Sequence, residues 1–254
     1  MLYVPFARMP PSAPSYFSLS RTPRYSLTFA LPLLLLYEVA AAAISDSNGG
    51  IRNGADVMLK TLFATVAGPR GPLIFEVLLV ATMIGLAIRD VRRNPGGLRA
   101  SIFVRMFGEA AVLAALFGVV VGTITTKLIH AVQPLAIGQL QQVGTPTALT
   151  VSLGAGLYEE LLFRVLLVGV LMTLAKRVLG FGPRVATIAA VVVSALLFST
   201  FHYIGTLGDT FTVTSFVFRA IAGLAFSGLY VTRGFGITAW THALYDVFLT
   251  VSQG

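Results

Sequence analysis

Cysteine is absent from this chain of 254 residues, and charged residues make up only 11% of it. Without cysteine the chain can form neither disulfides nor cysteine-based metal sites, and its redox compartment cannot be inferred. An ordinary soluble domain is about 25% charged, whereas 56% of these residues are hydrophobic. The composition therefore excludes an ordinary soluble domain and indicates an integral membrane protein.

Apolar stretches long enough to cross a bilayer recur along the chain, which is typical of membrane-spanning helices. Seven spans are expected, at residues 27–44, 72–88, 107–129, 149–174, 186–203, 211–231 and 236–251. A shorter amphipathic piece at 57–66 predicts an interfacial helix. The predicted fold is therefore an all-α, polytopic transmembrane helical bundle. No internal repeat is evident, so an inverted-repeat transporter is not supported.

The net charge of +8 does not require a nucleic-acid partner, because most Lys and Arg residues lie in short loops. Such residues orient a membrane protein and contact anionic lipid. If the N-terminus is cytoplasmic, the inside loops are much richer in Lys and Arg than the outside ones. We therefore predict a multi-pass protein of a bacterial cytoplasmic membrane, with the N-terminus inside. Membrane lipid is an expected partner, and no oligomeric state follows from the sequence.

Two adjacent carboxylates and an arginine interrupt the fourth apolar stretch, at Glu159, Glu160 and Arg164. Ionised groups in hydrocarbon cost roughly 3 kcal/mol or more each, so they usually face a protein interior or a wet cavity. On a helix Glu160 and Arg164 are four residues apart and share a face, whereas Glu159 points about 100° away. The spacing predicts a structural Glu160–Arg164 pair and a reactive Glu159 that can act as a general base. A purely structural ion network is the alternative.

Two later apolar stretches carry the remaining candidates, His202 in the fifth and His242 with Asp246 in the seventh. A single histidine near a helix end is often structural. His242 and Asp246 share a helix face, which suits two metal ligands or a histidine oriented by a carboxylate. With Glu159 they could activate water for hydrolysis. All four are also candidate ligands for a divalent metal such as zinc, although no HExxH motif is present.

Three further carboxylates lie in apolar stretches, at Glu38, Glu76 and Glu109. Arg105 and Glu109 are four residues apart and are expected to pair. Glu38 and Glu76 are expected to pair with Arg219 or with one another. We predict structural rather than catalytic roles for all three carboxylates.

Three short motifs follow one another on successive hydrophobic stretches: Glu-Glu-x-x-x-Arg at 159–164, Phe-x-x-x-His at 198–202 and His-x-x-x-Asp at 242–246. In this order they resemble the signature of the CPBP family, the CAAX prenyl protease and bacteriocin-processing intramembrane proteases, also called Abi proteins. The resemblance covers about residues 149–251. It divides the chain into a flexible N-terminal arm at 1–26, N-terminal spans at 27–148 and a CPBP/Abi-like catalytic core at 149–254.

The resemblance implies an intramembrane endopeptidase that hydrolyses a membrane-tethered, hydrophobic or lipidated peptide. Glu159 and His202 would activate water, and His242 would stabilise the oxyanion or contact substrate. Asp246 stands where family members have Asn or Asp; it would orient His242, bind a metal or be protonated. The family includes proteins described as metalloproteases and as metal-independent glutamate proteases. A non-enzymatic membrane protein, such as a bacteriocin-immunity binder or a proton-coupled carrier, is the alternative.

The depths of these residues in the membrane present one difficulty. Measured along straight helices, Glu159, His202 and His242 lie at depths that differ by several ångströms. Tilted helices, an earlier start of the seventh helix, or a broken helix near residues 234–236 could bring them to one level.

Overall fold

The computed structural model describes residues 15–45, 50–129, 144–205 and 208–253, and helices are the regular secondary structure of these ranges. The α-helices are α1 (Tyr16–Ser20), α2 (Pro23–Ile44), α3 (Gly54–Ala67), α4 (Gly71–Arg93), α5 (Ala100–Ile129), α6 (Thr145–Gly154), α7 (Val168–Arg177), α8 (Pro183–Phe201), α9 (Val213–Arg233) and α10 (Phe235–Gln253). Two π-helical segments, Ala155–Glu159 and Leu161–Leu167, connect α6 to α7. The prediction of an all-α bundle is confirmed. Residues 1–14 of the predicted arm lie outside the described ranges.

Five helical stretches of the described residues are long and apolar enough to cross a membrane. They are Pro23–Ile44, Gly54–Arg93, Ala100–Ile129, Pro183–Phe201 and Val213–Arg233. The other two predicted spans are also helical. One is the run from α6 through the π-helical segments to α7, and the other is α10. The protein is therefore a polytopic helical membrane protein.

The amphipathic piece predicted at 57–66 is part of α3, which folds back on α4 through a 3₁₀ turn at Gly68–Arg70. Gly71 allows this turn, because a Cβ there would lie 2.3 Å from the backbone of Phe63. Across the hairpin, Lys60 forms an ion pair with Glu76 at 2.8 Å. The polar residues of α3 therefore include one, the partly buried Lys60, that contacts a neighbouring helix.

The last helix, α10, is packed against α2, α5 and α6 and carries much of the buried core. Its first turn lies directly on α2: the Gly236 amide donates to Ser26 Oγ at 2.9 Å, and a Cβ on Gly236 would lie 2.2 Å from the Ser26 carbonyl oxygen. One turn further, Trp240 Nε1 donates to the Phe29 carbonyl at 2.7 Å. The start of α10 is therefore fixed in both position and rotation relative to α2.

Arg233 and Glu109 connect the end of α9 to α5, at an N–O distance of 2.5 Å. The predicted pair of Arg105 with Glu109 is wrong, because the Arg105 side chain is exposed and Glu109 turns toward Arg233. Tyr16 also donates to Glu109 at 2.5 Å. Burial and this contact raise the pKa of Tyr16 to about 12. This cluster holds α1, α5 and α9 together at one end of the bundle.

Candidate active site

Glu159, His202, His242 and Asp246 line one cavity of about 470 Å³. Glu159 lies in the π-helical part of the fourth span, and His202 lies at the end of α8. His242 and Asp246 lie in the middle of α10. The depth difficulty estimated from straight helices does not keep these residues apart, since all four line the same cavity, and the chain breaks between α9 and α10 at Gly234, near the predicted position. The fourth span begins at Thr145, before the predicted start, and contains π-helical turns that a regular rise per residue does not describe.

The close approach of Glu159 to α10 depends on a small residue one turn before it. A Cβ on Gly156 would lie 2.4 Å from the Ala239 carbonyl oxygen and 2.6 Å from the Ala243 amide nitrogen. Only glycine allows the two backbones to come this close. The π-helical segment and α10 are therefore in direct backbone contact beside the cavity.

The two oxygens of Glu159 have different surroundings. Oε1 accepts a hydrogen bond from Asn53 Nδ2 at 2.9 Å. Oε2 is buried, accepts no hydrogen bond from the part of the chain that the structure describes, and lies 3.9 Å from His202 Nε2. Oε2 is therefore the oxygen that remains available for chemistry.

His202 caps α8, with Nδ1 lying 2.9 Å from the Phe198 carbonyl oxygen. A carbonyl oxygen only accepts, so Nδ1 carries the hydrogen of this bond. In the neutral ring Nε2 then has a free lone pair, on the side of Glu159. The Phe-x-x-x-His spacing has a direct structural meaning here: the phenylalanine backbone fixes the tautomer of the histidine one turn later.

His242 is held by Glu160, with Nδ1 and Oε1 at 2.7 Å. Glu160 also forms an ion pair with Arg164, at 3.2 Å between Oε2 and Nε. The expected Glu160–Arg164 contact is therefore present, and Glu160 has a second contact that sequence reasoning missed. The His242 ring also stacks on Phe226, with centroids 4.3 Å apart. These contacts leave Nε2 of His242 as the ring nitrogen that is directed toward Asp246.

Asp246 lies at the other ring nitrogen of His242, with Oδ2 3.5 Å from Nε2. One of its expected roles was to orient His242. The closer contact of the ring is with Glu160, because the π-helical segment packs directly beside α10. Asp246 also lines the cavity, and its contact with Nε2 is compatible with the expected role of orienting His242.

A cluster of charged residues, the α2–α4 ion cluster, lies behind the cavity. It consists of Glu38, Arg52, Asp56, Lys60 and Glu76. The expectation that Glu38 and Glu76 pair with Arg219 or with one another is wrong, because Lys60 contacts both carboxylates and Arg52 contacts Glu38. Burial alone would lower the pKa of Arg52, but its bonds to Asp56 and Glu38 raise it.

Arg219 lines the cavity and forms an ion pair with Asp209. Its second nitrogen donates to Ser215 Oγ at 2.7 Å. The cavity is thus lined by two cationic side chains, Arg219 from α9 and Arg52 from the segment that precedes α3.

Within the described residues, the three ligating groups found with atoms within 4.8 Å of one another are Glu38, Asp56 and Glu76, and Lys60 already contacts all three. Glu159, His202, His242 and Asp246 do not form such a group. The Nδ1 atoms of both histidines are engaged by Phe198 and Glu160, which leaves the Nε2 atoms as the nitrogens that could contact water, substrate or a metal ion.

Asn53 is the site residue that sequence reasoning missed. It precedes Gly54 and lies three residues before Asp56, which is a typical start of a helix. That signal predicts the N-terminus of α3 but says nothing about which side chains the loop meets. The hydrogen bond to Glu159 joins residues 106 positions apart and becomes visible only in the folded chain.

Residues 141–248 match the family model described as type II CAAX prenyl endopeptidase Rce1-like. No curated protein and no solved structure matches the chain. The matched residues include Glu159, His202, His242 and Asp246, whereas Asn53 and the α2–α4 ion cluster precede them.

Proposed function

We propose that the chain is an intramembrane endopeptidase of the Rce1-like family, whose model matches residues 141–248, and that its water is activated by Glu159 and His202. The observation that carries this proposal is the convergence of Glu159 Oε2 and His202 Nε2, 3.9 Å apart, in a cavity of about 470 Å³. One water molecule can donate its two hydrogens to two acceptors at this separation, since each hydrogen bond is about 2.8 Å long.

In the proposed reaction, a water bound by Glu159 and His202 attacks the carbonyl carbon of the scissile peptide bond. Glu159 Oε2 takes one proton from the water as the C–O bond forms. The carbonyl oxygen becomes an oxyanion. The C–N bond then breaks, and Glu159 returns the proton to the leaving amine, so that the carboxylate is regenerated with each turnover.

His242 is the proposed donor to the oxyanion. Glu160 accepts the Nδ1 hydrogen, so Nε2 can donate a hydrogen to the oxyanion only when the ring is an imidazolium with hydrogens on both nitrogens. Glu160 and Asp246 face the two ring nitrogens and can balance the charge of a protonated ring. A donor placed where negative charge develops stabilises the transition state more than the ground state.

The substrate is a hydrophobic or lipidated peptide at the membrane. Aromatic side chains line much of the cavity: Phe117, Phe198, Phe201, Phe218 and Phe226. An apolar cavity with a few polar groups suits a substrate that is mainly apolar around one peptide bond. The cationic Arg52 and Arg219 also line the cavity and can meet polar ends of the peptide.

The proposal is tested by peptide profiling with purified wild-type protein and Glu159→Gln. We expect defined cleavage products from the wild type and a loss of at least about 100-fold in the variant, which keeps the size of the side chain but removes the base. Equal cleavage by both proteins would refute the role of Glu159. Absence of any cleavage, together with protonophore-sensitive transport, would favour the carrier alternative.

A further inference from the structure

Asn53 is nearly completely buried, at 2% exposure, and lies at the junction of the cavity and the α2–α4 ion cluster. Its amide nitrogen donates to Glu159 Oε1 at 2.9 Å. It is the N-terminal cap of α3 and stands outside the residues that match the family model. The question is whether it only caps a helix or also acts on the catalytic carboxylate.

The orientation of the Asn53 amide is determined by its other contacts. Oδ1 accepts hydrogen bonds from the backbone amides of Ala55 and Asp56, at 2.9 and 3.4 Å, as an N-cap does. An oxygen used in this way fixes the amide rotation, so Nδ2 is the atom directed to Glu159. The contact with Glu159 is therefore donor to acceptor.

The backbone of Asn53 is also held. Its own amide donates to Tyr37 Oη at 3.2 Å, and Tyr37 donates in turn to Asp56 at 2.7 Å. Asp56 is fully buried and is paired with Arg52 at 2.6 Å. The residues on both sides of Asn53 are therefore fixed by the ion cluster.

The same cluster holds the other partner of the hydrogen bond. Tyr158, which directly precedes Glu159, points its hydroxyl at Glu38 and Glu76, at 2.8 and 2.6 Å. On the opposite side, a Cβ on Gly154 would lie 2.8 Å from Asn53 Cβ, so glycine permits the loop to approach the fourth span. The positions of Asn53 and Glu159 are thus both determined by contacts with the α2–α4 ion cluster.

We propose that Asn53 is a positioning residue for Glu159: it occupies Oε1, fixes the rotation of the carboxylate and leaves Oε2 facing His202 Nε2. This inference rests on the proposed function. It gives the N-terminal spans a direct role, because α2, α3 and α4 deliver a group that the matched region lacks. A carboxylate free to rotate would spend much of its time away from the productive geometry.

The test uses Asn53→Ser and Asn53→Asp in the full-length purified protein. Both residues cap helices about as well as asparagine. Serine is too short to reach Glu159, and aspartate puts an acceptor where the donor was. We expect kcat to fall roughly 10- to 100-fold with little change in KM, and aspartate to be the more damaging. Ser15→Ala, which removes the side-chain cap of α1 outside the cavity, serves as the control and should keep wild-type kcat.

Three results distinguish a failure of the Asn53 inference from a failure of the proposed function. Wild-type kcat in Asn53→Ser, with Glu159→Gln inactive, would overturn this inference and leave the proposed function standing. Activity in Glu159→Gln would overturn the proposed function itself. A melting temperature that Asn53→Ser lowers equally in wild-type and Glu159→Ala backgrounds would show that the two residues do not act on one another, and would also overturn the inference.

Discussion

Glu160 accepts a hydrogen bond from His242 Nδ1 at 2.7 Å while its second oxygen lies 3.2 Å from Arg164 Nε. One buried carboxylate therefore joins the π-helical segment of the fourth span to α10. The adjacent residue, Glu159, faces His202 instead. Two neighbouring glutamates are thus divided between the two histidines, one to each, and this division leads to the first prediction.

Glu160→Gln should lower both stability and activity. Glutamine can still contact His242, but it leaves the buried Arg164 without an opposite charge, which costs about 3–5 kcal/mol. Thermal unfolding in detergent and cleavage of a profiled peptide measure the two effects. In Glu160→Gln/Arg164→Met, stability should be largely regained, since no buried charge remains, whereas cleavage should stay low. Wild-type cleavage in Glu160→Gln would contradict the positioning of His242 by charge.

Gly156→Ala should separate the π-helical segment from α10. The new Cβ would meet backbone atoms of Ala239 and Ala243 at 2.4 and 2.6 Å, and backbone cannot move aside as a side chain can. Overpacking of this kind costs about 1–3 kcal/mol. Gly169→Ala in α7 is the matched control, because a Cβ there has nothing within 4 Å. Equal melting temperatures for the two variants would show that the backbone contact is unimportant.

Asp246→Asn should keep cleavage within about tenfold of wild type, whereas Asp246→Leu should lose most of it. The amide has the same shape as the carboxylate and can still face the cavity and His242 Nε2. The CPBP family, which the sequence motifs resemble, is also expected to have either Asn or Asp at this position. The leucine side chain removes every polar contact. Initial rates on one peptide provide the comparison. Inactivity of Asp246→Asn equal to that of Glu159→Gln would instead assign the ionised carboxylate an essential part.

Cleavage should persist after treatment with a strong chelator. The four cavity residues do not form a group of three ligand atoms within 4.8 Å of one another, and the proposed activation of water by Glu159 and His202 needs no metal ion. Activity is measured before and after chelation, with zinc added back in a third sample. Loss of activity that zinc restores would show that a metal joins the site and would require a different arrangement of these side chains.

A reporter fused to the C-terminus should give an external signal, and one fused before Pro23 a cytoplasmic signal. The seven predicted spans would place the two ends on opposite sides, and the distribution of Lys and Arg favours the N-terminus inside. A matched pair of reporters, one active only inside and one only outside, makes the result unambiguous. Cytoplasmic signals from both ends would mean that an even number of segments crosses the membrane.

Sequence reasoning selected residues that the structure places at one cavity, but it predicted fewer of the contacts among them. Glu159, His202 and His242 stand out because polar groups are rare in apolar stretches, and the pairing of Glu160 with Arg164 follows from helix geometry alone. Local geometry was misleading for Arg105, since Glu109 had a better partner in Arg233, which is 124 residues away.

Long-range packing accounts for what could not be predicted. The sequence around Asn53 predicts a helix cap. Its hydrogen bond to Glu159 forms only because the start of α3 lies against the fourth span. The depth difficulty had the same origin, because π-helical turns and the contact at Gly156 alter the positions that straight helices would give. Such features depend on how helices pack, which no short sequence pattern encodes.

The one-residue link between α9 and α10 constrains where a peptide can enter. Gly234, with φ of 80°, joins Arg233 to Phe235, and both sides of this link are bonded to other helices through Glu109 and Ser26. A lateral gate therefore cannot open between α9 and α10 at this end. Ile204 and Gly205, which follow α8, line the cavity. We therefore expect the peptide to enter near these residues, between the C-terminal end of α8 and the N-terminal ends of α9 and α3.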